Sequence, residues 1–280
     1  MKTAFVTGAS SGIGAAMVHE LLDAGYIVYA GARRTDKLAD AVKDGAIPLM
    51  LDVTDDGSMM DAISTILSAS GHIDVLVNNA GYGSFGALED VPLDEGRRQF
   101  DVNVFGLARL TQLVLPSMRV RKSGTIVNVS SIGGKIHQPF GSWYHATKFA
   151  VEGMSDCLRI EVAPFGIKVI VIQPGAIKTE WNRIARTNLL KFSGQNAYGP
   201  QAKAHANFLE RADSSNSASE PSVVAKTLMR ALAAQNPKTR YATGGGARII
   251  LNLRWLLSDK MFDWVMRKAS GMNNIVNQVG

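Results

Sequence analysis

Tyr144 and Lys148 are the residues whose types and spacing point most directly to chemistry. They lie four positions apart in a stretch with a helical pattern, and residues at this spacing share one face of a helix. A free phenol has a pKa of about 10, and a nearby positive charge favours its ionised form. The pair therefore predicts a tyrosine that exchanges protons near neutral pH, with its pKa lowered by Lys148. Without further context the same pair is also typical of an ordinary solvated helix face.

A glycine-rich turn lies close to the N-terminus, between a short apolar run and a helical pattern. Strand, glycine-rich turn and helix form the setting that binds a dinucleotide pyrophosphate, because glycines admit the phosphates and the helix N-terminus offers free N–H groups. The spacing is G-x-x-x-G-x-G rather than G-x-G-x-x-G, and a tight turn without a ligand is the alternative. The predicted cofactor contacts in this turn are Gly8, Ser10, Ser11, Gly12, Ile13 and Gly14.

Two arginines, Arg33 and Arg34, follow the second predicted strand. An NAD site usually carries Asp or Glu at this point, to hold the ribose 2′-hydroxyl. A guanidinium group instead binds a 2′-phosphate through two parallel hydrogen bonds. The pair predicts NADP rather than NAD, and the alternative is two solvated arginines at a strand end.

Strand and helix patterns alternate along the first 180 residues. The third predicted strand ends before Asp52 and the fourth before Asn78, at the sheet edge where ligands of α/β proteins bind. The alternation predicts a single-domain, doubly wound α/β Rossmann fold with a central parallel sheet of about seven strands. One long helix is predicted over residues 93–119. Asn103 lies in its middle, where a buried amide needs hydrogen-bond partners.

The composition narrows the class of protein. The chain of 280 residues fits one domain over residues 1–280, and its charge of +6 contains no long run of like charges that would indicate nucleic-acid binding. The single cysteine, Cys157, excludes an internal disulfide, so we expect the reducing cytoplasm, with Cys157 among the small core residues. No apolar stretch approaches the ~20 residues of a transmembrane segment. We assign no metal site.

Six motifs occur in one order over residues 3–180. They are the glycine run Thr7–Gly14, Asn79-Ala80-Gly81, Asn103, Ser131, Tyr144-x-x-x-Lys148 and Pro174-Gly175. In this order and spacing they resemble the short-chain dehydrogenase/reductase family with NADP preference. Within that family, the run from Gly31 to Arg34 and the chain length are most similar to 17β-hydroxysteroid and retinol dehydrogenase-like members.

The resemblance implies a role for each catalytic candidate. Tyr144 would exchange a proton with the substrate oxygen, which Ser131 would hold by a hydrogen bond. Lys148 would lower the Tyr144 pKa and bind the nicotinamide ribose, and Asn103 would position a water beside Lys148. Members that prefer NADP often carry a basic residue where this chain has Ser11, so the phosphate contact would rest on Arg33 and Arg34. The further cofactor contacts that the resemblance implies are Asp52, Val53, Asn79, Ala80, Gly81, Pro174, Gly175, Ile177 and Thr179.

The implied activity is that of an NADP(H)-dependent oxidoreductase. It would transfer a hydride between the nicotinamide and a ketone, aldehyde or secondary alcohol, with a lipophilic, steroid- or retinoid-like substrate, and it would form a homodimer or homotetramer. A non-catalytic dinucleotide-binding regulator with the same fold is the alternative. Such a regulator would have no use for Tyr144, Lys148 and Ser131.

Two later segments lie outside the family motifs. Residues 181–219 are rich in Gly, Asn, Ser and Gln, and we expect a mobile substrate lid there that closes with apolar side chains. Residues 247–269 form a basic, amphipathic helical pattern. Such a helix packs over a pocket or a second subunit, or it lies on a membrane surface, and the sequence leaves these alternatives open.

Overall fold

The computed structural model describes residues 1–214 and 218–272. Its described strands form one parallel sheet of seven, in the order β3-β2-β1-β4-β5-β6-β7. The strands are β1 (Thr3–Thr7), β2 (Ile27–Ala32), β3 (Ile47–Met50), β4 (Val75–Asn78), β5 (Gly124–Val129), β6 (Ile167–Pro174) and β7 (Arg240–Thr243). The strand order reverses between β1 and β4, and the crevice at such a point is where doubly wound sheets bind ligands. The predicted fold class is confirmed.

Helices cover both faces of the sheet. They are α1 (Gly12–Asp23), α2 (Ala39–Lys43), α3 (Asp56–Ser70), α4 (Leu93–Phe100), α5 (Gly106–Arg121), α6 (Ser142–Val162), α7 (Trp181–Ser193), α8 (Gly199–Ser214), α9 (Pro221–Ala233), α10 (Ala247–Leu256) and α11 (Asp259–Ala269). On one face, Met17 of α1 and Leu228 of α9 share a core with Val28 of β2. On the other face, α3, α5 and α6 bury apolar residues against Phe5 and Ile126. The central strands are apolar on both sides because both of their faces are covered.

The helix predicted over residues 93–119 is interrupted. A π-helical turn at Asp101–Phe105 separates α4 from α5. Asn103 is buried in this turn, and its amide group donates to the carbonyl of Tyr82 and to the hydroxyl of Thr147 and accepts from the Tyr82 N–H. Apolar periodicity reports only that a helix runs through this stretch, so it gave no sign of the wider turn. Turns of this kind are frequent at functional sites.

The segment over 181–219, for which the sequence predicts a lid, is helical for its greater part. Residues 181–193 and 199–214 form α7 and α8, and they do so because apolar residues recur at helical spacing within the polar composition. The buried residues of these two stripes are Ala185, Leu189, Ala202, Ala206 and Leu209. The serine-rich end of the predicted segment, at 215–217, lies outside the described residues.

Two expectations about single elements are also corrected. The amphipathic pattern over 247–269 is two helices, because Leu257 is extended and the Ser258 hydroxyl accepts from the Met261 N–H and begins α11. Cys157 is exposed rather than part of the core, because it shares an outward-facing strip of α6 with Ile160. Within the described part of the chain, no helix is both long and apolar enough to cross a bilayer.

Candidate active site

A cavity of about 910 Å³ opens at the carboxyl edge of the sheet, around the point where the strand order reverses. It brings together nearly all the residues singled out from the sequence. Those lining it are Gly8, Ser10, Ser11, Gly12, Ile13, Arg33, Arg34, Asp52, Val53, Asn79, Ala80, Gly81, Ser131, Tyr144, Lys148, Pro174, Gly175, Ile177 and Thr179. Gly14 and Asn103 lie behind the wall rather than in it. The cavity has a polar end at the glycine turn and an apolar end beyond Tyr144.

The glycine turn is shaped to admit a phosphate group. Gly8 and Gly12 have positive φ angles of 65° and 55°, and a Cβ on Gly14 would collide with the carbonyl oxygen of Gly8. The first turn of α1 carries no acidic residue, and the side chain of its N-cap, Ser11, makes no capping bond. The free N–H groups and the positive end of the helix dipole are therefore available to an anion. A dinucleotide pyrophosphate fits this cradle.

The polar end of the cavity also contains an arginine, Arg98, that the sequence analysis did not single out. Burial raises the pKa of Asp52, but hydrogen bonds from Thr54 and the nearby charges of Arg33 and Arg98 lower it overall. Arg98 lies on α4 and lines the cavity. Tyr82, which precedes α4, also lines the cavity, and its pKa is raised by burial and by Glu95. The sequence could not have identified Arg98, because only the packing of α4 beside the end of β3 brings it here.

Tyr144 and Lys148 are both buried on the inner face of α6. The Lys148 ammonium donates to the carbonyl of Val129, at the end of β5, over 2.9 Å. Burial lowers the pKa of Lys148 to about 8, against the opposing charge of Glu152. Burial raises the pKa of Tyr144 to about 12, and the Ser131 hydroxyl only partly offsets this. The direction is opposite to the lowered phenol pKa expected from the sequence, and desolvation is its largest cause.

Ser131 and Asn103 hold their places through local bonds. The Ser131 hydroxyl accepts from the Gly133 N–H over 3.0 Å, which fixes the start of a 3₁₀ turn at the end of β5. The Asn103 amide is separated from the Lys148 ammonium only by Gly81, where a Cβ would lie 3.0 Å from the amide oxygen. The side-chain bonds of Asn103 go to protein groups, so the amide itself does not reach into the cavity. Next to Ser131, the buried hydroxyl of Ser130 has no partner among the described residues and also lines the cavity.

The apolar end is built from aromatic residues that the sequence did not single out as a group. The Trp181 ring lies 4.8 Å from that of Tyr144, and the Phe85 ring lies 6.0 Å from it, between centroids. The remaining apolar lining at this end comes from remote parts of the chain: Ile136, Ile184, Phe208, Leu209, Ile249, Ile250 and Met266. No motif marks these positions, because their shared location is set by tertiary packing alone.

Two buried histidines pack against the aromatic residues of the apolar end. His145 is bonded at both ring nitrogens, to the Gly133 carbonyl over 2.8 Å and from the Gln138 N–H over 3.1 Å. His205 of α8 is fully buried between the rings of Phe85 and Phe208, and neither of its nitrogens has a partner among the described residues. Burial lowers the pKa of each histidine to about 4. Both rings are neutral at physiological pH.

Replacing His205 with Leu should reduce the fall in the free energy of unfolding that occurs when the pH is lowered from 7 to 5. The folded pKa of about 4 is below the ordinary value of 6.5, so the unfolded chain takes up this proton first as the pH falls. Protonation of His205 in the unfolded chain therefore lowers the stability of the wild type progressively as the pH falls from about 6.5 to about 4. Above about pH 6.5 it has little effect. Leu removes a loss on the order of 1–2 kcal/mol between pH 7 and pH 5.

Urea unfolding at the two pH values would measure this difference. The matched control is Phe208→Leu, which changes the same packing layer without a titrating group and should lower stability equally at both pH values. Identical pH dependence of the His205→Leu variant and the wild type would contradict the assignment.

Comparison with protein families and relatives supports a common ancestry for the whole chain. The family model described as short chain dehydrogenase matches residues 2–189. The oxidoreductase BOA17 of Botryotinia fuckeliana is 37% identical over 250 residues, 88% of this chain and 90% of its own. A 3-ketodihydrosphingosine reductase of Bacteroides thetaiotaomicron is 35% identical, over 94% of this chain and 95% of its own. An NADPH-dependent 3-dehydrocapnine reductase of Ornithobacterium rhinotracheale is 31% identical, over 96% and 97%.

Solved structures agree with the family match. A short-chain dehydrogenase from Streptomyces avermitilis is 35% identical, with a TM-score of 0.79 over 100% of this chain and 98% of its own. A metagenomic short-chain oxidoreductase in complex with NADP is 26% identical, with a TM-score of 0.67 over 86% and 95%. A short-chain dehydrogenase/reductase from Burkholderia phymatum in complex with NAD is 25% identical, with a TM-score of 0.78 over 91% and 92%. Both cofactors therefore occur among the similar structures.

Proposed function

Because the chain belongs to the short-chain dehydrogenase/reductase family, we propose that it is an NADP(H)-dependent oxidoreductase of lipophilic ketones and the corresponding alcohols. The observation that carries the proposal is a single cavity with an anion cradle at one end and Tyr144, Ser131 and Lys148 in its middle. A non-catalytic regulator of the same fold would need the cradle alone. The convergence of the other three side chains on the same space favours the enzyme.

The glycine turn would hold the pyrophosphate, Asp52 and Val53 the adenine, and Ile177 and Thr179 the nicotinamide carboxamide. A bound nicotinamide dinucleotide would supply or accept the hydride. The protein would provide the proton: Tyr144 would give it to the substrate oxygen, and Ser131 would donate a hydrogen bond to the same oxygen. The rings of Trp181 and Phe85 would exclude water from this oxygen.

The protonated state of Tyr144 matches the role of proton donor in the reductive direction. A phenol with a pKa of about 12 carries its proton at pH 7 and can deliver it to a carbonyl oxygen. An ammonium with a pKa of about 8 is still mainly charged at that pH, and it can stabilise the phenolate that remains. We therefore assign Tyr144 the role of general acid and Lys148 that of its electrostatic support.

Tyr144→Phe should reduce turnover by about 10²–10⁴-fold while leaving cofactor affinity nearly unchanged, because only the proton transfer is lost. The change in NADPH absorbance with a lipophilic ketone measures turnover, and cofactor fluorescence measures binding. The matched control is Tyr198→Phe, which removes an exposed hydroxyl bonded to Glu89 outside the cavity. Turnover of Tyr144→Phe at the wild-type rate would eliminate the proposed mechanism.

We propose NADP(H) as the cofactor on the strength of Arg33. It lines the cavity after β2, where no acidic residue stands to hold a ribose hydroxyl. Arg98 adds a second positive charge beside Asp52, and a relative that covers most of the chain is named as NADPH-dependent.

Arg33→Ala should weaken NADPH by about 10- to 100-fold and NADH only slightly, because one charge-assisted contact to the 2′-phosphate is lost. Fluorescence titration of both cofactors would decide this, with Arg159→Ala as a control on a helix face away from the cavity. An equal loss for the two cofactors would mean that Arg33 does not bind the 2′-phosphate.

There are two candidate substrate classes. The family resemblance suggests a steroid- or retinoid-like molecule, whereas two relatives that cover nearly the whole chain are named as reductases of 3-ketodihydrosphingosine and of 3-dehydrocapnine. The extended apolar end of the cavity, from Trp181 to Met266, suits a flexible alkyl chain beyond the carbonyl. We favour a long-chain lipid ketone, and turnover of that class against steroid ketones of equal carbon number would separate the two.

We also propose that α7 and α8 act as the substrate lid. Trp181, Ile184 and Phe208 line the cavity from these two helices, and the helices pack mainly on each other and on Phe85. Hydrogen exchange in α7 and α8 should slow when cofactor and a lipophilic ketone analogue are both bound, because closure orders the pair. If the pair is already fully protected in the free protein, it is a fixed wall.

Assembly and location complete the proposal. Apolar side chains stay exposed on the helices around Asn103 and Tyr144, with Phe105 and Phe149 the largest of them. We propose that they pair in a homodimer or homotetramer, whose mass light scattering would give. The single cysteine suits the cytoplasm.

A further inference from the structure

The two C-terminal helices present an apolar outer surface. On α10, Trp255 is 85% exposed and Leu256 is 69% exposed. On α11, Trp264 is 51% exposed beside the exposed Met261. On α10, Trp255 lies three residues after the exposed Asn252, and on α11, Trp264 lies three residues after Met261 and four before Lys268, so the exposed residues of each helix share one face. We call the exposed side chains of Trp255, Leu256, Met261 and Trp264 the outer face of α10 and α11. Large apolar side chains are rarely exposed together on a protein surface without a binding role.

Positive charge surrounds the outer face. Arg248, Arg254, Lys260, Arg267 and Lys268 lie on these helices, with Asp259 and Asp263 as their only acidic residues. Both acids are already paired, Asp259 with Arg254 and Asp263 with His137 over 2.7 Å. Within the described residues, no carboxylate pairs with the other four cations, and the Lys268 ammonium instead lies 5.0 Å from the centre of the Trp264 ring.

The inner side of the same helices forms the apolar wall of the cavity. Ile250 packs with the buried Phe262 and Met266, and Ile250 and Met266 line the cavity. Ile249 lines it too and is 76% exposed, so it stands at the mouth. An apolar path therefore runs from the outer face past Ile249 to the aromatic residues around Tyr144.

We infer that the outer face of α10 and α11 docks on an anionic phospholipid surface and sets the mouth of the cavity against it. Tryptophans inserted at the headgroup level with lysines and arginines around them match such a surface in both polarity and charge. A second copy of this chain would bring the same unpaired cations face to face, and like charges would oppose that contact. The docking does not depend on the proposed function; only the delivery of a lipid ketone from the bilayer to Tyr144 does.

Vesicle sedimentation of the full chain tests the docking. We expect the wild type to bind vesicles with about 30 mol % phosphatidylglycerol at least tenfold more tightly than pure phosphatidylcholine, and to weaken as salt rises above about 0.15 M. The double variant Trp255→Ser with Trp264→Ser should lose at least about tenfold of this binding. Neither tryptophan lines the cavity, so turnover of a water-soluble ketone should be unchanged.

The matched control is Met50→Ser with Met60→Ser, on β3 and α3 at the edge of the sheet opposite β7, where two large apolar side chains are also exposed. It should bind vesicles as the wild type does. Equal binding to neutral and anionic vesicles, no binding at all, or unchanged binding of the tryptophan variant would overturn the inference. The inference would also be overturned if light scattering showed a dimer for the wild type and a monomer for the tryptophan variant. Docking with no turnover of any ketone would refute the proposed function and leave the docking intact.

Discussion

The site depends on the desolvation of one ammonium group. Lys148 is buried on α6, and its described hydrogen bond runs to the Val129 carbonyl, where β5 ends. A buried cation keeps its proton only if fixed dipoles replace water, and the pKa of about 8 shows that the balance is close. The bond between Lys148 and Val129 therefore ties α6 to the end of β5. Tyr144, one turn earlier on the same face, is held in place by the same constraint.

A buried network of polar side chains fixes the position of α6 on the sheet. Asn78 of β4 donates to Asn128 of β5 over 2.9 Å, and Asn128 donates to Ser155 of α6 over 2.9 Å. Further out, the buried Glu152 accepts from Arg240 of β7 over 2.7 Å. Breaking such a pair inside a protein leaves an uncompensated charge or amide, and this costs more than the bond contributes. Strands β4, β5 and β7 thus together locate the helix that carries Tyr144 and Lys148.

The sequence predicted what local pattern encodes. The glycine turn and the spacing of Tyr144 and Lys148 are properties of a few consecutive residues, and the alternation of elements then fixes a parallel sheet. The π-helical turn at Asn103 was missed because apolar periodicity cannot register one extra residue per turn. Arg98 and His205 were missed because their surroundings come from distant segments. The raised phenol pKa was missed for a related reason: the sequence shows which charges are near Tyr144, but burial is a property of the fold.

The two ends of the cavity are consequently made in different ways. The cofactor end is built from backbone and from loops at the strand ends, and the family match over residues 2–189 covers it. Much of the substrate end comes from α8, α10 and α11, beyond that match, through side chains such as Phe208 and Met266. These residues can change without disturbing the contact between Lys148 and Val129, so substrate range can vary while the chemistry stays. Because α10 lines the cavity with Ile250 and exposes Trp255 outward, the same helix contributes to the cavity and to the proposed docking surface.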